Sequence, residues 1–147
     1  MSFCSTNPIK NYDRALKDLR GVHHSQCFFR HDPPVDNLQF CFSEEGTLVG
    51  TFVCSAEHQG YDGVVHGGII AAIIDASMVQ CCMGHGIAAY TADLSIRYRN
   101  PLRISTPTVL ETRIVGSARG VLFTLESNIT QNGEMQVGAT ARFFKVS

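Results

Sequence analysis

The segment from Gly67 to Met83 constrains this chain more than any other, because it is apolar almost throughout. It has the shortest length that can span a membrane, and Asp75 and Gln80 interrupt it. A carboxylate in the middle of a span is costly in lipid. We therefore expect a buried helix of a folded domain and no membrane span. A helix that is apolar nearly all round needs a partner surface on most sides, such as a sheet wrapped around it.

Strand-like patterns flank this helix on both sides. A short amphipathic helix is predicted from Asn7-Pro8 to Gly21, and an irregular loop follows to residue 37. The segments with strand-like alternation are 38–42, 47–54, 92–98, 108–115, 121–129 and 137–143. The order helix, two strands, long helix and four strands predicts an α+β fold in a single domain over residues 1–147. In this fold an antiparallel sheet wraps around one long central helix.

Composition narrows the class of protein. Of the 147 residues, 44% are hydrophobic and 17% are charged, which suits one globular domain with a substantial core. The net charge of −1 lacks the basic excess of nucleic-acid-binding proteins, so no nucleic-acid partner is expected. The first residues carry no apolar secretory segment. We therefore expect a cytoplasmic protein whose six cysteines are reduced and mostly buried.

Gly67-Gly68 at the start of the central helix is the first feature that suggests chemistry. Glycine is a poor residue for a helix interior, but in the first turn it leaves the backbone N–H groups uncovered. The helix dipole adds partial positive charge there, which suits an anion or a developing oxyanion. Taken alone, the pair fits a tight turn or close packing better than a binding site.

Asp75 is the second such feature, because isoleucines and alanines surround it in the sequence. A carboxylate among apolar neighbours is costly to desolvate unless it is paired, hydrogen-bonded or wetted by a pocket. Such a group suits a general base near neutral pH. A carboxylate that bonds a neighbouring backbone end or a hydroxyl side chain is an equally good interpretation.

The spacing of these two features predicts a dimer. Asp75 lies seven residues after Gly68, which turns the helix by ~700° and puts both on one face, roughly 10 Å apart along the axis. No small reacting group touches both within one chain. A two-fold dimer with roughly antiparallel central helices would place Gly67-Gly68 of one chain opposite Asp75 of the other. Two equivalent sites would then be built across the interface.

The pattern His66-Gly67-Gly68, with Asp75 nine residues after the histidine, resembles the hotdog-fold acyl-CoA thioesterases of the thioesterase-superfamily and phenylacetate-pathway type. The similarity is strongest over residues 59–102 and includes the strand-like segment 90–101 after the helix. The resemblance implies a hotdog fold and hydrolysis of an acyl-CoA thioester. It also implies a homodimer, with pairing into dimers of dimers (homotetramers) in many members.

The same resemblance implies four catalytic roles. Asp75 matches the catalytic acid, which serves as a general base for water or as a nucleophile. Gly67, with Gly68 beside it, matches the helix start whose N–H polarises the thioester carbonyl. Thr91 matches a Ser or Thr that orients the water. His66 matches the motif histidine, which positions the turn or the substrate.

Residues near the motif are candidates for contacts with the acyl group. His58 and Tyr61 come just before the motif, where they would line the acyl pocket or brace the loop. The apolar helix residues Ile70, Ile74 and Met78 would shape the pocket together with neighbours across the interface.

Candidate ligand groups elsewhere are less specific. Arg97 and Arg99 suit the phosphates of coenzyme A, although strand alternation also places such residues on a solvated face. Three histidines and Cys27 lie within residues 23–31, but their spacing fits no structural zinc pattern. No metal ion and no cofactor are therefore expected.

Two positions depart from the pattern of the resembling family. Gly60 stands where some members carry an Asn aimed at the substrate carbonyl, and Ala76 stands where related sequences often have Glu. The main alternative to a hydrolase is a protein of the same fold that binds acyl-CoA without turnover. A dehydratase or hydratase of enoyl thioesters is a weaker alternative, because no His follows Asp75 at the spacing familiar in those enzymes.

Overall fold

The computed structural model describes residues 10–27, 29, 35 and 37–146. The predicted helix start at Asn7-Pro8 and the histidine at position 31 lie outside the described residues. The elements, in chain order, are α1 (Lys10–His23), β1 (Gln39–Phe42), β2 (Leu48–Phe52), α2 (Gly67–Gly84), β3 (Ala89–Tyr98), β4 (Thr108–Ala118), β5 (Leu122–Gln131) and β6 (Glu134–Lys145). This order confirms the predicted one. A short 3-10 helix, Ala56–His58, lies between β2 and α2.

The six strands form one antiparallel sheet in the order β1-β2-β4-β5-β6-β3. Because β3 pairs with β6 and not with β4, it lies at the edge of the sheet. Its register with β6 shifts between Thr91 and Asp93, which marks a β-bulge. The edge strand that directly follows α2 therefore has one side unpaired among the described strands.

The concave face of the sheet packs against α2, which contacts β2, β3, β4 and β5. Residues of α2 that turn toward the sheet are fully or almost fully buried: Ile70, Ile73, Ile74, Ser77, Met78, Cys81, Cys82 and Met83. They meet inward-facing strand residues such as Leu110, Leu125 and Ile129. By length and composition α2 also passes the test for a membrane span, and half of it is buried inside the fold. The molecule has the hotdog fold, an α+β architecture in which a sheet wraps one long helix.

A chain of buried hydroxyl groups joins α2 to the sheet. Ser77 Oγ donates to the carbonyl oxygen of Ile74 at 2.6 Å and lies 2.8 Å from Thr112 Oγ1 on β4. Thr112 Oγ1 in turn lies 2.6 Å from Ser127 Oγ on β5. Each hydroxyl therefore has a hydrogen-bond partner in the core. These hydrogen bonds tie α2 to β4 and β5 of the sheet.

α1 packs on α2 in the opposite direction. Near the start of α1 the ring of Tyr12 lies 4.9 Å from that of His85, just past the end of α2, whereas Arg20 Nη2 donates to Gln80 Oε1 at 2.8 Å. α1 continues two residues beyond Gly21, where it was expected to end. Gly21 faces open space, so nothing at that position forces the chain to turn.

The cysteines correct one expectation. Cys41, half-buried on β1, is disulfide-bonded, whereas Cys27, Cys54, Cys81 and Cys82 are free thiols. Pairing requires two cysteine Cβ atoms about 3.8 Å apart, and sequence spacing does not reveal such a distance. Burial raises the pKa of Cys54 to about 11 and those of Cys81 and Cys82 to about 12, so these three thiols stay protonated at neutral pH.

Candidate functional site

The start of α2 offers one backbone donor, the N–H of Gly67. His66 is the N-cap residue, and its Nδ1 accepts from the N–H of Gly68 at 2.9 Å. The N–H groups of Ile69 and Ile70 both donate to the carbonyl oxygen of His66. Gly67 N–H has no hydrogen-bond partner among residues 10–27, 29, 35 and 37–146. Of the predicted glycine pair, Gly67 is therefore the donor open to a ligand, and Gly68 is engaged by the cap.

The hydrogen bond of this cap also limits which nitrogen of the His66 ring can carry a proton. This hydrogen bond uses the lone pair of Nδ1, so that nitrogen carries no proton while the cap is formed. A doubly protonated ring would lose this cap, since Nδ1 would then be a donor. His66 therefore positions the turn directly, which is one of the two roles expected for it.

Tyr98, at the end of β3, holds the first peptide of α2 from the other side. Its hydroxyl donates to the carbonyl oxygen of Gly67 at 2.8 Å, and a Cβ on Gly67 would lie 3.5 Å from its ring. Burial raises the pKa of Tyr98, so its phenol remains a donor at neutral pH. Tyr98 was not among the residues predicted to belong to the site. The available signal was an aromatic residue two positions after Ile96, on the same inward face of β3.

Asp75 and Thr91 form the second half of the site. Thr91 Oγ1, on β3, donates to Asp75 Oδ1 at 2.8 Å. Asp75 is half-buried. Its carboxylate is therefore more exposed to solvent than the apolar residues around it in the sequence suggest. Within the described part of the chain no other group bonds to its side chain, and Oδ2 is open to a ligand or a water molecule. The carboxylate and the hydroxyl predicted to act together are thus in direct contact.

These two halves open into different cavities. One cavity, of about 510 Å³, lies between α1, α2 and the β1-β2 hairpin and includes Asp75 in its wall. The other, of about 610 Å³, includes His66, Gly67 and Tyr98. They share no lining residue. Within one chain the carboxylate and the free amide are therefore separated, as the helix spacing predicts.

Of the expected substrate contacts, some line the second cavity. Tyr61 and Arg99 do so together with Ile70. Tyr61 is 88% exposed, so it forms an outer wall of this cavity. Arg97 is exposed on β3 and lies in the wall of neither cavity, which fits the solvated face that strand alternation favours.

Other expected contacts lie elsewhere. Ile74 and Met78 are fully buried against the sheet and line neither cavity, because the face of α2 next to Asp75 consists of Ala72, Ala76 and Val79. His58 Nδ1 accepts from Ser55 N–H at 2.9 Å, and its carbonyl oxygen accepts from His66 N–H. His58 thus braces the loop, the second of its two expected roles.

Gly60 packs directly on the motif histidine. A Cβ at this position would lie 3.3 Å from His66 Cδ2, which is tight, and 3.5 Å from its Cα, which is ordinary contact. Gly60 also lines the second cavity. An Asn here, as in some of the resembling proteins, would press on the residue that caps α2.

Metal-ligating side chains are not grouped in this structure. Among the described residues, no three His, Cys, Asp or Glu side chains are close enough to hold a metal ion. Of the described members of the 23–31 segment, His24 and Cys27 line the first cavity, and His23 is exposed at the end of α1.

Comparison with known proteins identifies the family. The model of the Thioesterase superfamily matches residues 62–137, which contain the helix start, Asp75, Thr91 and Tyr98. The chain belongs to this superfamily. A curated relative, acyl-coenzyme A thioesterase THEM4 of Rattus norvegicus, is 34% identical over 105 residues, which are 69% of this chain and 44% of the relative. The chain thus matches less than half the length of that relative.

Solved structures share the fold. The PaaI protein from the phenylacetic acid degradation operon of E. coli superposes with a TM-score of 0.76 at 12% identity, covering 93% of this chain and 96% of PaaI. The protein smu.793 from Streptococcus mutans, solved bound to acetyl CoA, gives a TM-score of 0.70 at 21% identity. That match covers 76% of this chain and 90% of the other. Both confirm the hotdog fold expected from the resemblance.

Proposed function

We propose that this chain hydrolyses acyl-CoA thioesters to the free acid and coenzyme A, at two equivalent sites shared by the protomers of a homodimer. The observation that carries the proposal is the division of the reactive groups between two cavities. Asp75, which accepts a hydrogen bond from Thr91, lines one cavity, and Gly67, whose N–H has no partner among the described residues, lines the other. Membership of the Thioesterase superfamily supports the reaction class.

The unpaired edge of β3 supports the dimer. Two copies that join antiparallel along this edge would extend the sheet and bring their α2 helices side by side in opposite directions. Thr91 and Tyr98 both lie on this strand, so the contact edge carries one residue from each half of the site. Gly67 of one protomer would then face Asp75 of the other. Pairing of such dimers into tetramers remains part of the proposal.

In the proposed reaction, the thioester carbonyl oxygen accepts a hydrogen bond from Gly67 N–H. A water molecule bound to Asp75 Oδ2 attacks the carbonyl carbon, and Asp75 takes its proton. The negative charge that develops on the carbonyl oxygen is stabilised by the Gly67 amide and the positive end of the α2 dipole. The carbon–sulfur bond then breaks, and the coenzyme A thiolate leaves and takes up the proton. Thr91 holds Asp75 in position through its bond to Oδ1.

A direct attack by Asp75 is the other form of this reaction. The carboxylate would then form a mixed anhydride with the acyl group and release coenzyme A, and water would cleave the anhydride. Single turnover in heavy-oxygen water tests for the anhydride route. Label in Asp75 would show that water cleaved the anhydride at the Asp75 carbonyl, because direct attack of water on the thioester puts the label only in the product acid.

Coenzyme A would bind across the second cavity of the protomer that supplies Gly67. Arg99 lies in the wall of this cavity and suits a phosphate oxygen. The acetyl CoA bound to smu.793 supports a coenzyme A ligand for this fold. Arg97, on the outer face of β3, is the weaker candidate for a phosphate contact.

The test is release of free thiol from acyl-CoA by the wild type and by Asp75→Asn. We expect activity in the wild type and a loss of at least about a hundredfold in Asp75→Asn, with acyl-CoA still bound. Asp18→Asn is the matched control, because Asp18 is exposed on α1 and lines neither cavity. If wild type and Asp75→Asn bind acyl-CoA alike and neither releases thiol, the chain is a non-catalytic acyl-CoA-binding protein.

A further inference from the structure

The cavity beside Asp75 has the properties of a site for an apolar chain. Its volume of about 510 Å³ lies within the usual range for small-molecule sites, which is roughly 300–1,000 Å³. Most of its lining residues are apolar, including Leu16 of α1, Phe42 of β1 and Val79 of α2. Apart from Asp75, its polar groups belong to α1, to the residues just after α1, and to Gln80 of α2. Arg20 of α1 donates a hydrogen bond to Gln80.

The cavity runs along α2 from Ala72 past Asp75, and its larger part lies toward the C-terminal end of the helix, where Ala76, Val79 and Gln80 line it. Ala76 and Val79 follow Asp75 on the same side of α2, and Val79 lies one turn beyond it, about 6 Å along the axis. α1 covers this stretch in the opposite direction, with the bond between Arg20 and Gln80 joining the two helices. An acyl group whose carbonyl carbon lies at Asp75 would therefore extend between α1 and α2.

Aromatic rings close the far end. Phe42 lines the cavity, stacks on Tyr12 with ring centroids 5.2 Å apart, and lies 6.3 Å from His85. The Phe42 ring also packs directly on Gly84, the last residue of α2. From Asp75 to Gly84 the helix rises about 13 Å, so Phe42, packed on Gly84, bounds the part of the cavity beyond Asp75 to at most this length. An extended decanoyl chain has about this length, and a palmitoyl chain exceeds it.

We propose that the acyl group of the substrate is an apolar chain of medium length, and that Leu16, Val79 and Phe42 set its upper limit. This inference rests on the proposed function, because it assigns the acyl half of the same site. It makes α1 a wall of the site and Leu16 and Val79 specificity-determining residues. The wall belongs to the protomer that supplies Asp75.

Val79→Phe tests the proposal by filling the cavity one turn beyond the carboxylate. We expect kcat/KM for decanoyl-CoA to fall about tenfold or more, and kcat/KM for hexanoyl-CoA to change less than twofold, because each displaced methylene weakens transition-state binding. Val22→Phe is the matched control. Val22 is 74% exposed on α1, so the same change there should leave kcat/KM unaltered for both decanoyl-CoA and hexanoyl-CoA. Leu16→Ala should have the opposite effect and raise kcat/KM for palmitoyl-CoA relative to kcat/KM for decanoyl-CoA.

An equal loss for all chain lengths in Val79→Phe, or no change in either variant, would overturn the inference while leaving the hydrolase intact. Binding of non-hydrolysable S-hexyl, S-decyl and S-hexadecyl thioethers of coenzyme A gives a readout without catalysis. If the wild type releases no thiol but Val79→Phe still selectively weakens the decyl thioether, the proposed function fails and the chain-length site stands. If neither thiol release nor thioether binding depends on chain length, both fail.

Discussion

Gly67→Pro removes the single atom on which the proposed oxyanion contact depends. Proline has no N–H, yet it is favoured at the first position of a helix, because its fixed φ suits the first turn. His66, with φ −60° and ψ 131°, already has the extended backbone that a residue before proline requires. The Cβ added at Gly67 meets the ring of Tyr98 at ordinary contact distance, 3.5 Å. The variant should therefore fold as well as the wild type.

The expected kinetic effect is large. Removal of one oxyanion donor from other hydrolases costs about 2.7–4 kcal/mol, which corresponds to a loss of roughly 10²–10³ in kcat. Gly67→Ala is the matched control, because it keeps the N–H and adds only a Cβ. We expect Gly67→Ala to retain activity within a few-fold of the wild type, and both variants to keep the thermal unfolding temperature within a few degrees.

The same variant tests whether the site crosses the interface. A heterodimer of Gly67→Pro and Asp75→Asn, isolated with two affinity tags, contains one intact site and one doubly impaired site if the two groups come from different chains. It should then show about half of the wild-type activity per dimer, although each parent homodimer is nearly inactive. A heterodimer as inactive as its parents would refute the reasoning, because both groups would then act from the same chain.

Three further changes test supports of the site and fold. Tyr98→Phe removes one hydrogen bond, worth about 1 kcal/mol, from the first peptide of α2, and should lower kcat several-fold with little change in KM in steady-state assays. His66→Ala removes the cap and should cost about 1 kcal/mol in urea unfolding, whereas His66→Asn should restore stability and, if the ring only positions the turn, activity too. Gly84→Ala forces a methyl group into the Phe42 ring and should cost about 1–3 kcal/mol, whereas Gly21→Ala, which meets open space in α1, should stabilise by up to about 1 kcal/mol.

The fold was predictable because a few strong patterns agree. An apolar helix flanked by alternating strands admits few arrangements other than a sheet wrapped around it. The separation of Gly67 and Asp75 followed from helix geometry alone. The residues did not reveal the position of β3 in the sheet. It does not pair with β4, the next strand in sequence, but with β6, and so it lies at the edge of the sheet. Strand order depends on contacts between distant segments, and no local pattern encodes it.

Parts of the site were missed for similar reasons. Ile74 and Met78 were placed in the acyl pocket because they are apolar and near Asp75, but a helix buried on one side divides its apolar residues between core and cavity. Small residues, Ala72 and Ala76, face the cavity instead, because they leave room for a ligand. The bond from Tyr98 to the carbonyl of Gly67 joins residues 31 positions apart, and only the folded chain brings them together.

The use of one helix for both halves of the site has a consequence for how the site tolerates change. In the proposed dimer each α2 gives its N-terminal amide to one site and its carboxylate, about two turns later, to the other. The two sites would therefore be coupled through the position of each helix on its sheet, which the buried bond between Ser77 and Thr112 of β4 supports. A shift of α2 along its axis would displace the donor of one site and the base of the second together. Packing residues of α2 far from any ligand are thus constrained by the chemistry of both sites.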